Sequence, residues 1–185
     1  MFGAERQVYF REAAVGSSRL LYYFAKVVGT FPRILLATLY FTVLSHLFAT
    51  PQITVAEAYT INLLYWFSMY GFSSLVAMLS SSENSPMLAI MASLAMGVLG
   101  GGSPSLTNAH KWKMYWLWRA SPGTWAQQAY FDRQVGPMGA LYQIEPLILK
   151  TGYQIGRYGK DLMVLFGIGL VYWSIALVFM IWKKH

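Results

Sequence analysis

Residues 162–182 read LMVLFGIGLVYWSIALVFMIW, a run without one charged side chain. The hydrocarbon core of a bilayer is about 30 Å thick, which an α-helix crosses in about 20 residues at about 1.5 Å of rise each. This stretch has the length and composition to do so. Three further apolar segments precede it, at 30–49, 58–79 and 86–101. The first carries Arg33 near its start, where the guanidinium can reach the headgroups, and His46 near its end. The second has no charged side chain. The third is the shortest and runs into Gly100, Gly101, Gly102, Ser103 and Pro104, which release a helix because glycine adds backbone freedom and proline removes a donor. Backbone released at membrane depth must be sheltered by protein or by a water-lined cavity. The expectation is an all-α membrane protein with four transmembrane helices.

The composition of the whole chain agrees. Of its 185 residues 56% are hydrophobic and 11% are charged, against about 25% charged in soluble domains. Seven acidic and fourteen basic residues cannot give a soluble protein of this size its charged shell, which excludes most soluble enzyme classes. The net charge of +7 falls on residues that flank the apolar runs, as at phospholipid headgroups. Membrane lipid is therefore the expected neighbour, and nucleic acid is not an expected partner. The absence of cysteine rules out disulfides, thiolate metal sites and a thiol nucleophile. Histidines 46, 110 and 185 lack metal-ligand spacing, and no carboxylate pair sits near a candidate nucleophile, so neither a catalytic residue nor a metal ligand is assigned.

Organisation follows from what separates the runs. The connections at 50–57 and 80–86 are short and contain Pro51 and Pro86, so consecutive spans form antiparallel hairpins. Residues 102–161 hold four of the seven prolines; a polar-aromatic stretch of about sixty residues is too long for a plain connection and reads as an extramembrane or re-entrant unit. Arg6, Arg11, Arg19, Lys26 and Arg33 lead into the first span, while Lys183 and Lys184 follow the last. Basic residues favour the cytoplasmic side, so an even number of spans puts both termini there. Charges at Glu5, Arg6, Arg11 and Glu12 interrupt the N-terminus and exclude a signal peptide. The same charges, with Val8, Tyr9 and Phe10 between them, make residues 5–12 an amphipathic helix, either lying on headgroups or docking a soluble partner.

That order, an acidic-basic pair, an aromatic pair, Arg11-Glu12, then Tyr22-Tyr23-Phe24-Ala25-Lys26 and a proline-led span, resembles the transmembrane domain of ABC transporters of subfamily G. This is the group of the White pigment and pleiotropic-drug-resistance exporters. The likeness continues through Tyr70-Gly71-Phe72-Ser73-Ser74, the glycine-rich exit of the third span, the segment from Trp112 to Ser121-Pro122 with Trp125 beyond it, and Trp182-Lys183-Lys184, covering nearly the whole chain. It implies that the four spans are the third to sixth of a six-helix ABC-2 type domain. The chain then divides into a cytoplasmic coupling helix and lead-in at 1–29, three spans at 30–101, an outer loop with re-entrant helices at 102–161, and the last span with its basic tail at 162–185.

The resemblance assigns coupling to a nucleotide-binding domain to Glu5, Arg6, Arg11 and Glu12. It puts Met91, Leu94, Gly97 and Val98 on a helix lining the substrate path, and Gly100, Gly101 and Gly102 at the outer gate, where relatives often place leucines. Met91, Leu94 and Val98 share a helical face by spacing, and flexible methionine suits a promiscuous apolar surface; ordinary helix packing is the alternative. On this resemblance the chain is the membrane part of a plasma-membrane exporter of lipids, sterols or xenobiotics, acting as a homo- or heterodimer of transporter halves. No Gly-x-x-x-x-Gly-Lys-Ser/Thr loop occurs. ATP and Mg are accordingly expected on a separate nucleotide-binding domain, in cis or in trans, with no cofactor in this chain. A truncated, non-transporting membrane scaffold or regulatory subunit is the alternative.

Overall fold

The computed structural model describes residues 18–80, 85–100, 104–140 and 142–182. Three helices come first, α1 (Arg19–Ala49), α2 (Val55–Leu79) and α3 (Ser85–Val98). Short elements follow: α4 (Leu106–Lys111), α5 (Tyr115–Ala120), α6 (Pro122–Val135), a 3-10 turn at Gly136–Ala140 and α7 (Glu145–Thr151). The last helix is α8 (Tyr158–Trp182). Among the described residues there is no strand.

Local chemistry sets the helix ends. At the start of α2 the Thr54 hydroxyl accepts from the Glu57 amide while the Glu57 carboxylate accepts from the Thr54 amide, a reciprocal cap for two otherwise orphaned donors. Ser121 caps α6 by accepting from the Gly123 amide, and Pro122 occupies the first turn, where its missing N–H costs nothing. α7 ends at Gly152 with φ of 80°. A side chain there would be strained, and its Cβ would lie 2.9 Å from Leu106 Cβ.

The long helices are inside-out relative to those of a soluble protein. On α1 the buried positions Thr30, Ile34, Thr38 and Thr42 recur every fourth residue, whereas Leu36, Tyr40, Leu47 and Phe48 are exposed. On α8 the buried seam is Asp161, Leu165, Gly169, Trp173, Ala176 and Met180, with Met163, Leu170, Val171 and Val178 facing out. Threonines, glycine and alanine among the buried seam residues, with large apolar side chains facing out, are the pattern of helices packed in lipid. Between α2 and α8 the seam is close: Ser68 Oγ donates to the Leu165 carbonyl at 2.8 Å, and Trp173 Nε1 donates to the Phe67 carbonyl at 3.1 Å.

Two helices among the described residues, Leu20–Ala49 and Tyr158–Trp182, are long and apolar enough to cross a membrane. The other two segments expected to span fall short of that measure for different reasons. With 25 residues α2 is long enough, but it carries Thr60, Asn62, Ser68, Ser73 and Ser74 because it is the central helix, packed by α1, α3, α6 and α8. Its polar groups bond protein: Asn62 Nδ2 donates to Thr42 Oγ1 on α1 at 2.9 Å. α3 has 14 residues, which at about 1.5 Å each reach about 21 Å, short of a bilayer core of about 30 Å.

The short helices gather where α1 ends and α2 and α8 begin. Tyr130 of α6 donates to the Ala58 carbonyl at 3.3 Å, Arg133 pairs with Glu57 at 3.1 Å, and Gln134 accepts from the Gln52 amide at 3.0 Å. Asp132 accepts from the amides of Gly156, Arg157 and Tyr158 at 2.8 to 2.9 Å. A carboxylate on the opening amides of α8 satisfies donors that the helix itself cannot, and its charge suits the positive end of the helix dipole. Of the aromatic-basic cluster, Trp118 is buried and Trp125 stacks against Arg119, whose guanidinium lies 4.4 Å from the ring, while Trp112 and Trp116 stay exposed.

Candidate functional site

Between α2 and α3 lies a cleft of about 670 Å³. From α2 it takes Tyr65, Trp66, Tyr70 and Ser73, and from α3 Ala89, Ile90, Ser93 and Leu94. Successive positions are one, three or four residues apart on each helix, so each helix turns one face to the cleft. Trp66 stacks on Tyr70 with centroids 6.4 Å apart, and the Ser73 and Ser93 hydroxyls bond across the cleft at 2.9 Å. An aromatic and aliphatic wall with a few hydroxyls suits an uncharged apolar molecule, which such a site binds by burial and orients by a small number of polar contacts.

Beside the cleft, α3 ends in a net of hydroxyls. Ser121 Oγ donates to the Met96 carbonyl at 2.8 Å, Thr124 Oγ1 lies 2.8 Å from the Leu99 carbonyl, and Tyr153 OH lies 2.9 Å from the Gly100 carbonyl. The last carbonyls of a helix have no partner within it, so this net shelters the helix end that the glycine run releases. Burial pushes the Tyr153 phenol up to about 12, which keeps it a donor. The chains approach closely here: a Cβ on Gly123 would lie 3.2 Å from Gly100 Cα, and one on Gly100 would displace the Gln127 side-chain amide.

The residues expected from the sequence separate in this arrangement. Leu94 lines the cleft. Met91 and Val98 are exposed on α3 outside the cleft lining, and Gly97 faces Tyr65, whose hydroxyl lies 3.8 Å from the place of a glycine Cβ. Gly100 is buried at the hydroxyl net. Gly101 and Gly102, like Glu5, Arg6, Arg11 and Glu12, lie outside the described residues. Sequence reasoning did not find Ser121, Thr124 and Tyr153 as partners of α3. Ser121 and Pro122 entered the sequence reading only as part of the family resemblance, because nothing in the chain order connects them to a carbonyl 25 residues back. Other ionisable residues near the membrane have local duties: His46 bonds the Thr42 and Ile53 carbonyls, and Glu57 caps α2 and pairs with Arg133.

Outward-facing apolar helices, a polar interior and an apolar cleft between two helices define an all-α integral membrane domain. A model of the ABC-2 type transporter family matches residues 1–134, and the chain belongs to that family. Its residues are those of an ABC-2 type transporter membrane domain. The chain is similar to the ABC-type transporter claG of Penicillium crustosum, with 32% identity over 145 residues, or 78% of this chain. It spans 20% of the length of that relative.

Proposed function

We propose that this chain is the transmembrane part of a subfamily G exporter that moves hydrophobic compounds such as lipids, sterols or xenobiotics out across the plasma membrane. The observation that carries this reading is the aromatic-aliphatic cleft between α2 and α3, in a chain of the ABC-2 type family. Its walls offer burial and hydroxyls but no charge, so the substrate class is apolar and uncharged. The exposed face of Met91, Leu94 and Val98 supports a second half facing α3 across a dimer axis, with Gly97 and the run Gly100 to Gly102 at its outer end. Glu5, Arg6, Arg11 and Glu12 couple the membrane part to a nucleotide-binding domain, where ATP with Mg supplies the free energy. Both termini are cytoplasmic, and α4 to α7 lie on the outer side.

The test is ATP-dependent accumulation of fluorescent hydrophobic compounds in inverted vesicles that contain the complete transporter. Charge reversal at both Glu5 and Arg11 is expected to stop accumulation while insertion persists. One exposed ion pair is worth only about 0 to 1 kcal/mol, so a large loss means a docked geometry. Accumulation that needs no ATP, or that survives the double reversal unchanged, refutes the proposal.

A further inference from the structure

Gln128 of α6 and Asp161 of α8 are both fully buried, and they face each other: Gln128 Nε2 donates to Asp161 Oδ1 at 3.3 Å. The second oxygen of each, Asp161 Oδ2 and Gln128 Oε1, is buried with no hydrogen-bond partner among the described residues. No Lys, Arg or His among them forms an ion pair with Asp161. If Asp161 were ionised, both leftover atoms would be pure acceptors, and the charge would be enclosed with one long hydrogen bond to support it. A carboxyl group in that position takes up a proton instead. One proton placed between the two unsatisfied oxygens would satisfy both. An acid and an amide form a cyclic dimer in which the amide N–H donates to one carboxyl oxygen and the acid O–H donates to the amide oxygen.

We propose that Asp161 is a proton-binding site, held in the folded protein as the neutral acid with its proton donated to Gln128 Oε1. Among the surrounding charges, Asp132 on α6 opposes a second negative charge, while Arg119 on α5 and Arg157 ahead of α8 favour one. Arg119 is engaged by the Tyr115 hydroxyl and the faces of Tyr115 and Trp125. Glu57 of α2, at the same end of the bundle, is held by Arg133. Lys160 on α8 is exposed. The joint matters because α6 holds two things at once. Its first turns grip the end of α3 through Ser121 and Thr124, and Gln128 and Asp132 grip the start of α8. Loss of the proton leaves two acceptors opposed across that joint and loosens α8 from the element that fixes the end of α3.

Infrared spectroscopy of the purified complete transporter reads the proton directly. Wild type is expected to show the carbonyl stretch of a protonated carboxylic acid at about pH 5, where an ordinary aspartate, titrating at about 3.9, is ionised. That band should be absent from Asp161→Asn and shifted in Gln128→Leu, which removes its hydrogen-bond acceptor. The melting temperature of wild type should fall relative to Asp161→Asn as pH rises from about 4, the ordinary carboxyl value, through the titration of the buried acid, since the amide carries both hydrogen bonds without titrating. A wild-type spectrum with no band beyond that of Asp161→Asn overturns the proposal. So does an Asp161→Asn protein that fails to fold, since the neutral amide reproduces the acid's hydrogen-bond pattern.

Discussion

Replacing Gly169 by alanine tests the α2–α8 seam that organises the bundle. The added Cβ would lie 2.7 Å from Phe67 Cδ1 and 2.8 Å from Ser68 Oγ, where carbon atoms normally stand about 3.5 to 4.0 Å apart. Neither neighbour is free to yield. The Phe67 ring is stacked on Phe166 at 5.8 Å and on Trp173 at 6.1 Å, and Ser68 Oγ is bonded to the Leu165 carbonyl. The helices must therefore separate. Overpacking of this kind costs about 1 to 3 kcal/mol, and a weakened interhelical hydrogen bond adds about 0.6 kcal/mol. Against this, alanine gains at most about 1 kcal/mol over glycine in a helix. The net expectation is a loss of about 2 kcal/mol, or about thirty-fold in the folded-to-unfolded ratio. Reversible unfolding in mixed micelles, followed by tryptophan fluorescence, measures it. Gly167→Ala is the matched control, because nothing lies within 4 Å of its Cβ. If Gly169→Ala is as stable as Gly167→Ala, the close seam is wrong.

Three further outcomes are expected. Tyr153→Phe removes a cap on the end of α3 and should speed amide hydrogen exchange at Leu99 and Gly100 by several-fold, for about 1 kcal/mol. With the phenol raised from about 10 to about 12, its contribution is full below about pH 10 and lost as pH rises to about 12; a stability difference between wild type and Tyr153→Phe that is absent near neutrality, or already shrinking well below pH 10, would contradict this. Leu94→Trp should obstruct passage while ATP hydrolysis by the nucleotide-binding domain continues, measured as transport and ATPase rates in the same vesicles; unchanged relative transport rates would place Leu94 in helix packing. In this cysteine-free chain, a single cysteine at Asn108 should react with an impermeant thiol reagent on intact cells and one at Ser82 should not; the reverse labelling would invert the topology.

How much of this was legible in the chain depended on whether the controlling interaction is local. The run at 162–182 and the segment leading to Ala49 declare themselves because length and apolarity are properties of one segment. The shelter needed for the backbone around Gly100 was also readable, since a released helix end in a membrane must find partners. The partners themselves were not: Tyr153 reaches Gly100 across 53 positions, and no spacing rule links them. Likewise, α2 read as one more apolar span, because residues such as Asn62 and Ser68 reveal a central helix only once Thr42 and Leu165 are set beside them. Leu94 shares a helical face with Met91 and Val98, yet of the three it alone lines the cleft, beside Ile90 and Ser93.

Photolabelling of the complete transporter with a hydrophobic substrate analogue tests the central claim most directly. If the cleft between α2 and α3 is on the substrate route, the modified residues should map to its walls, among them Trp66, Tyr70, Ile90 and Leu94, and excess unlabelled substrate should suppress the labelling. Labelling confined to the outward face of α1, at Leu36, Tyr40, Leu47 and Phe48, and insensitive to competing substrate, would mean that the analogue only partitions into lipid, and would contradict the account.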